Sequence, residues 1–221
     1  MFQKVAYKGE SMTNSYDTEL FNQDESPSPR ICGIDEAGRG PLAGPVCAAA
    51  VILPPDFPRD ILGDSKKLSE KQRLAAEIII REQAVWGIGW ASAQEIDRYN
   101  ILQATFRAMR RAVEKVIAQD RQVELLLIDG NRTFPHAIPS AAIIKGDSKV
   151  PEIMAASILA KTARDRFMRR MAEKWPEYNF EQHKGYPSRQ HVSAYRTHGP
   201  CPLHRLSFHV PDYPEDSVGE L

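Results

Sequence analysis

Apolar residues along the chain recur with two periods, which together predict alternating strands and helices. Short apolar runs have the length of buried strands, and they cover residues 31–36, 45–53, 84–91, 123–128 and 141–145. Segments with apolar positions three or four residues apart predict helices at 69–83, from 92 onward, at 100–119, 151–174 and 188–197. Ser69 and Ser92 each stand three residues before a Gln or Glu, which is the spacing of a capping box.

Strands that alternate with helices predict an α/β fold, in which helices flank a mixed central sheet. The connections between the first three strands are short, so we expect antiparallel pairing in that part of the sheet.

The two ends of the chain are polar and differ from its body. Residues 1–30 show no helical or strand period and predict a flexible arm, whereas residues 211–221 form an acidic tail with four acids and no base. Residues 31–210 carry 26 bases and 20 acids, a net charge of +6 in a chain whose overall net charge is zero. A moderately basic body with acidic ends is compatible with a polyanionic partner.

Neither a membrane protein nor a secreted disulfide protein is expected. No apolar run approaches the roughly 18 residues that a bilayer-spanning helix requires, and the first residues lack the apolar stretch of a secretory signal. The three cysteines, Cys32, Cys47 and Cys201, are odd in number and widely spaced, so we expect neither a disulfide framework nor a zinc site. These features favour a cytoplasmic protein.

Acidic residues follow three of the predicted strands, each close to a glycine. They are Asp35 with Glu36, Asp129, and Asp147. The carboxyl ends of strands gather at one edge of an α/β sheet, where these side chains would repel one another. Divalent cations relieve such repulsion, and a pair of them can cleave a phosphodiester. The alternative is that these acids are ordinary turn and cap residues.

Glu36 presents a difficulty, because adjacent residues on a strand point to opposite faces of the sheet. If Asp35 and Glu36 line one site, the first strand is predicted to end or bend at this pair.

The sequence GIDEAGRGPLAGPV at 33–46 strongly resembles the signature of type 2 ribonuclease H (ribonuclease HII). Further similar segments follow in the family's order at 64–69, 100–105, 128–131, 145–148, 155–161, 183–187 and 204–208. The resemblance implies a ribonuclease H-like catalytic domain over about 31–210, with a C-terminal helical extension from about residue 150.

The resemblance also implies roles for individual residues. The four acids match the family's catalytic, metal-binding carboxylates, which implies a divalent cofactor, Mg²⁺ or Mn²⁺. Gly38, Arg39 and Gly40 match a loop whose backbone contacts the ribose 2′-hydroxyl. Tyr186 matches a tyrosine that packs on the neighbouring sugar at an RNA–DNA junction.

Lys66 and Lys184 lie within similar segments, and we expect them to contact phosphates. The activity implied is endonucleolytic cleavage of the RNA strand of RNA–DNA hybrids, and incision on the 5′ side of ribonucleotides in duplex DNA. The products would carry 3′-hydroxyl and 5′-phosphate ends. Such an enzyme would be a monomer that removes misincorporated ribonucleotides and primer RNA.

Other charged residues and histidines are assigned no catalytic role. The arginines of the long helix, Arg164, Arg166, Arg169 and Arg170, either form a solvated face or contact phosphate. Asp165 is expected to form an ion pair with Lys161, four residues earlier. His183 and His204 receive no catalytic role, because Mg²⁺ sites rarely use histidine.

Three alternatives remain. Another nuclease or transferase of the same superfold is disfavoured by the Asp35–Glu36 pair before Gly-Arg-Gly. A type 3 relative would usually carry a folded N-terminal domain, which thirty polar residues cannot supply. A non-catalytic nucleic-acid binder would be favoured by loss of a site carboxylate, yet all four acids are present.

Overall fold

The computed structural model describes residues 29–63, 68–120 and 122–213. Lys66 lies outside the described residues, as do residues 1–28 of the predicted arm and 214–221 of the acidic tail.

Five strands form one mixed sheet, as predicted. They are β1 (Ile31–Ala37), β2 (Val46–Ile52), β3 (Val85–Ala91), β4 (Leu125–Asp129) and β5 (Ser140–Ile143). The order in the sheet is β3-β2-β1-β4-β5. β2 pairs antiparallel with both β1 and β3, while β4 pairs parallel with both β1 and β5. The carboxyl ends of β1, β4 and β5 therefore lie at the same edge of the sheet.

The helices are α1 (Glu70–Gln83), α2 (Ala93–Gln119), α3 (Pro151–Lys174), α4 (Phe180–His183) and α5 (Arg189–His198). Ser69 and Ser92 complete the two predicted capping boxes. Asn100 adopts a φ of 66° inside α2, and its Oδ1 accepts a hydrogen bond from the Gln103 amide at 3.1 Å. The predicted division near residue 100 is therefore confirmed: α2 consists of two helical segments that meet at Asn100. The short helix α4 was not predicted.

The sheet separates two apolar layers. α2 packs on one face against residues such as Ile34 and Ile128. α1 and α3 cover the other face, where Ile80 and Ile158 are fully buried. A third cluster around Phe180 joins the end of α3 to the C-terminal helices, which confirms the expected helical extension.

Cys32, Cys47 and Cys201 are buried free thiols. No helix in the described part of the chain combines the length and the apolar character needed to cross a membrane.

Candidate active site

Asp35 and Asp129 lie side by side at the carboxyl edge of the sheet. The parallel register of β1 and β4 pairs Ile34 with Ile128, so each aspartate is the next residue on its strand. Asp35 is only 6% exposed and accepts a hydrogen bond from the side chain of Ser157 on α3. Ser157 therefore orients Asp35 from the helix that covers this face, a contact that sequence reasoning did not anticipate.

Asp147 reaches the same edge from a short 3₁₀ turn, Gly146–Ser148, after β5. Its backbone amide donates to Asp129 Oδ1 at 3.3 Å. A Cβ at Gly146 would lie 2.6 Å from Ile153 Cδ1, so this turn packs directly on the side chain of Ile153 in α3. The turn thus brings Asp147 to Asp129, as the acid pattern predicted.

Glu36 joins the site by a route that differs from the prediction. β1 does not end at Asp35–Glu36 but continues to Ala37, paired with β2 throughout. The parallel pairing with β4 stops at Ile34, and the Glu36 amide donates instead to Asp35 Oδ1 at 2.7 Å. Of the two possibilities predicted, an end or a bend at this pair, the strand does not end there, because its pairing with β2 continues to Ala37.

Glu36 faces a cleft of about 360 Å³ on the α2 side of the sheet, and Asp129 lines the same cleft. Since Asp129 is the last residue of β4, it is accessible to groups on both faces. Asp35 and Glu36 therefore lie on opposite faces of the sheet, and each approaches Asp129 from its own face.

The electrostatics of this edge are unfavourable without a cation. Burial raises the pKa of Asp35 well above its ordinary value, and the nearby charges of Glu36 and Asp129 raise it further. Hydrogen bonds from Ser157 and from the Glu36 amide only partly oppose this shift. Burial and the neighbouring carboxylates therefore disfavour the ionised form of Asp35.

An all-carboxylate donor set suits a hard divalent cation such as Mg²⁺ or Mn²⁺. Within residues 29–63, 68–120 and 122–213, no three His, Cys, Asp or Glu side chains already form a group that could hold a metal ion.

The buried side chain of Arg164 packs against the loop at Gly38–Gly40. The guanidinium donates to the carbonyls of Pro45 and Ala43 at 3.0 and 3.1 Å. Gly38 has a φ of 94°, and a Cβ there would lie 1.9 Å from Arg164 Nε. For Arg164, the expectation of a solvated helix face is wrong, because carbonyl oxygens rather than water surround its charge.

A second buried arginine, Arg205, forms hydrogen bonds with the same loop. It donates to the carbonyls of Gly38, Arg39 and Gly44 at 2.5 to 2.9 Å. Burial and the nearby charge of Arg164 lower the pKa of Arg205. Arg205 lies in the 204–208 segment that resembles the family, but no local sequence pattern indicates that its side chain is buried.

Tyr186 lies against this loop. The Leu42 amide donates to the Gly185 carbonyl at 2.8 Å, and a Cβ at Gly185 would lie 2.4 Å from the Ala43 oxygen. The Tyr186 ring is 49% exposed, and its Cε1 lies 3.6 Å from where a Cβ at Gly40 would be. The fold therefore joins two segments that are about 145 residues apart in sequence.

The basic residues are arranged as follows. Arg39 is half exposed, and its Nη1 lies 3.5 Å from Glu36 Oε1, which links the loop to the carboxylates. Lys184 is partly buried, and its Nζ contacts the Glu181 carbonyl. Asp165 pairs with Lys161 at 2.6 Å, as expected from their spacing.

Comparison with known proteins gives consistent matches. The family model "Ribonuclease HII" matches residues 32–210. A Ribonuclease HII of Dechloromonas aromatica is 55% identical over 179 residues, covering 80% of this chain and 90% of that protein. A Ribonuclease HII of Nitrosospira multiformis is 51% identical over 181 residues, covering 81% of this chain and 89% of that protein.

Solved structures show the same fold at lower identity. RNase HII of Archaeoglobus fulgidus, solved in complex with PCNA, superposes with a TM-score of 0.68 at 23% identity, covering 83% of this chain and 97% of that one. Bst-RNase HIII, solved in complex with Mn²⁺, gives a TM-score of 0.66 at 17% identity, covering 82% of this chain and 67% of that one. The ribonuclease H-like architecture expected from the sequence is thereby confirmed.

Proposed function

The chain belongs to the ribonuclease HII family, and on that premise we propose that it is a metal-dependent endonuclease acting on ribonucleotides paired with DNA. It hydrolyses the RNA strand of RNA–DNA hybrids and incises duplex DNA on the 5′ side of an embedded ribonucleotide, leaving 3′-hydroxyl and 5′-phosphate ends. The observation that carries this proposal is the concentration of carboxylates at one sheet edge beside the Gly38–Gly40 loop and Tyr186.

Asp35, Glu36, Asp129 and Asp147 would hold the divalent ions. When bound, two such ions would activate a water and stabilise the leaving oxygen. Ser157 fixes the orientation of the Asp35 carboxylate, and the Asp147 amide does the same for Asp129. The raised pKa of Asp35 supports this assignment, because a neighbouring cation would favour the ionised carboxylate.

The Gly38–Gly40 loop and Tyr186 select the ribonucleotide. Only the 2′-hydroxyl distinguishes RNA from DNA at a given position. Backbone groups of Gly38–Gly40 can approach a sugar closely, since glycine presents no side chain there. Tyr186 offers an exposed ring beside Gly40 on which the next sugar packs. Arg39 and Lys184 supply positive charge nearby, and Lys66 remains a candidate for phosphate contact.

This activity suits the removal of misincorporated ribonucleotides and of primer RNA.

In the direct test, the protein is incubated with a labelled DNA duplex that contains one ribonucleotide, in the presence of Mg²⁺ or Mn²⁺, and incision is followed on a denaturing gel. We expect one cut on the 5′ side of the ribonucleotide, none in an all-DNA duplex, and none with excess EDTA.

Asp35→Asn should lower the incision rate by at least about 100-fold, because it removes a charged ligand from the cation site. Asp56→Asn is the matched control, since Asp56 lies in an exposed turn far from the sheet edge, and it should cut at the parental rate. Binding of the duplex without any incision would instead support the non-catalytic alternative. Equal rates for parent and Asp35→Asn would refute the metal-site assignment.

A further inference from the structure

Two buried histidines connect the C-terminal segment to the backbone of Tyr186. His191 on α5 is fully buried, and His204 is 4% exposed. Their Nε2 atoms lie 3.1 Å apart. The other nitrogen of His191 lies 2.9 Å from the Tyr186 carbonyl oxygen, and the other nitrogen of His204 lies 2.9 Å from the Cys201 amide nitrogen.

The backbone partners fix where each ring carries its proton. The Cys201 amide can only donate, so His204 Nδ1 is unprotonated and a neutral His204 carries its proton on Nε2. The Tyr186 carbonyl can only accept, so His191 carries its proton on Nδ1 and presents a bare Nε2. These two tautomers complement each other at the contact between the rings, where His204 donates and His191 accepts.

The result is a one-directional hydrogen-bond chain. It runs from the Cys201 amide through His204 and His191 to the Tyr186 carbonyl. Burial lowers the pKa of both histidines to about 4, which keeps both rings neutral at physiological pH. A proton added to His191 Nε2 would place two donors face to face, and one added to His204 Nδ1 would break the bond from the Cys201 amide.

The ring of a third histidine, His183, which precedes Tyr186 in the sequence, packs against this pair. His183 stacks on His191 with ring centroids 4.5 Å apart. It accepts a hydrogen bond from the Gly185 amide at 3.2 Å, and its other nitrogen lies 2.8 Å from the Tyr178 carbonyl. All six ring nitrogens of the three histidines therefore have a partner, which argues against reading this cluster as a metal site.

We propose that His191 and His204 are positioning residues for ribonucleotide recognition: their hydrogen-bond chain fixes the Tyr186 backbone so that its ring stays beside Gly40. The proposal rests on the proposed function, in which Tyr186 packs on a sugar. Neither histidine reaches the exposed face of the tyrosine, so both act through it. The backbone link matters because the half-exposed Tyr186 ring has solvent on its open side.

Two substitutions of His191 separate its two hydrogen bonds. An asparagine amide ends near the position of histidine Nδ1, so His191→Asn can still donate to the Tyr186 carbonyl but cannot reach His204. A glutamine amide ends near Nε2, so His191→Gln can still accept from His204 but loses Tyr186. If His191 served only as core packing, the larger glutamine would be the better replacement.

The readout is the ratio of kcat/KM for a lone ribonucleotide in duplex DNA to kcat/KM for a long RNA–DNA hybrid. We expect His191→Gln to lower this ratio about tenfold, the size expected for one lost hydrogen bond in the transition state, and His191→Asn to stay near the parent. Equal ratios in the two variants, or a higher ratio for His191→Gln, would overturn the proposal.

A double-mutant cycle shows whether the histidine acts through the tyrosine. In a Tyr186→Ala background, His191→Gln should have no further effect on the ratio, because the ring that it positions is gone. A full, additive effect would contradict the proposal. His198→Asn is the matched control, since His198 lies exposed on the same helix, 6.2 Å from the Tyr178 ring, and should leave the ratio unchanged.

A measurement on the unaltered protein remains decisive if the variants fold poorly. Nitrogen-15 NMR of the histidine rings at pH 7 should show a protonated Nδ1 on His191 and a protonated Nε2 on His204. Any other pair of tautomers would overturn the hydrogen-bond chain. This result is independent of catalysis, whereas failure of the parent protein to cut any ribonucleotide substrate would count against the proposed function instead.

Discussion

Asp35 combines two properties that conflict in the metal-free protein. It is almost fully buried, and it faces the negative charges of Glu36 and Asp129. Its pKa is raised because the folded state disfavours the ionised form. Such a group lowers stability as pH rises above the ordinary pKa of aspartate, so at neutral pH the destabilisation is present.

Asp35→Asn should therefore stabilise the metal-free protein while abolishing activity. The amide oxygen still accepts from the Glu36 amide and Ser157, but the charge is removed. We expect the melting temperature in EDTA to rise by a few degrees, which corresponds to roughly 1–2 kcal/mol for a chain of this size. Excess Mg²⁺ should raise the melting temperature of the parent more than that of the variant. A variant that melts below the parent in EDTA would contradict this account.

Residue types and their order along the chain were enough to predict Asp35, Asp129 and Asp147 as candidates, whereas Glu36, the Gly38–Gly40 loop and Tyr186 came from the resemblance to the family. They did not indicate Ser157, Arg164 or Arg205 as parts of the same site. An arginine on a charged helix is usually solvated, and only packing shows that Arg164 instead donates to three backbone carbonyls.

At the scale of elements, α2 and β3 approach each other closely at two glycines. A Cβ at Gly87 or Gly89 would lie 2.3 or 1.9 Å from the carbonyl oxygen of Ala112 or Ala108. These contacts involve the helix backbone, which cannot rotate away as a side chain could. The two glycines therefore set the distance between α2 and the sheet.

Gly89→Ala should lower the free energy of unfolding by about 3 kcal/mol, because the added methyl group overpacks the interface and pushes α2 away. Urea denaturation followed by circular dichroism measures this change. Gly63→Ala is a control for the loss of glycine itself: Gly63 is not at a positive φ, and an added Cβ would lie 3.3 Å from Leu68 Cδ2, the end of a flexible side chain. We expect it to change the free energy of unfolding by less than about 1 kcal/mol. A loss at Gly89 no larger than that at Gly63 would argue against the steric explanation.

The strand β1 shows where element prediction was correct and where it was not. Its apolar run and its terminal acids predicted a strand with a candidate site at its end. Of the end or bend predicted at Asp35–Glu36, the strand does not end there, because β1 has two neighbours that stop pairing at different residues. The pairing of a strand with distant segments is not encoded in its own residues.

At the scale of the whole molecule, the candidate recognition surface is assembled from both ends of the domain. The bridge between Ala43 and His204 places the C-terminal segment beside the loop that follows β1. Arg205, the histidine pair and the 183–187 segment then hold that loop and Tyr186 together. The C-terminal extension is therefore part of the candidate site rather than an accessory to it.

This arrangement predicts a pH dependence of stability. His191 and His204 have a pKa of about 4 when folded and near 6.5 when unfolded. Protons bind more tightly to the unfolded chain between these values, so the full stability present above pH 6.5 declines as pH falls towards 4. At pH 5 the loss should be roughly 2 kcal/mol for each histidine, with a smaller total if the two titrate as a pair.

Denaturant titrations at pH 7 and pH 5 measure this loss. The comparison protein is His191→Gln with His204→Gln, which lacks both titrating rings and should show a smaller difference between the two pH values. An equal pH dependence in the two proteins would show that other groups are responsible. Comparing the proteins also cancels the contribution of Asp35, whose raised pKa acts in the opposite direction.

The sequence by itself determined which segments form strands and helices, and it determined the carboxyl edge as the place for acidic side chains. Both follow from local properties, namely apolar periodicity, capping residues and the length of each connection. Connection length decides whether neighbouring strands can pair parallel or antiparallel. The tertiary structure alone decided that two buried arginines and two neutral histidines hold the recognition loops. Those side chains find their partners among backbone groups more than a hundred residues away or across a turn, and no local pattern records which carbonyl or amide a buried polar side chain will meet.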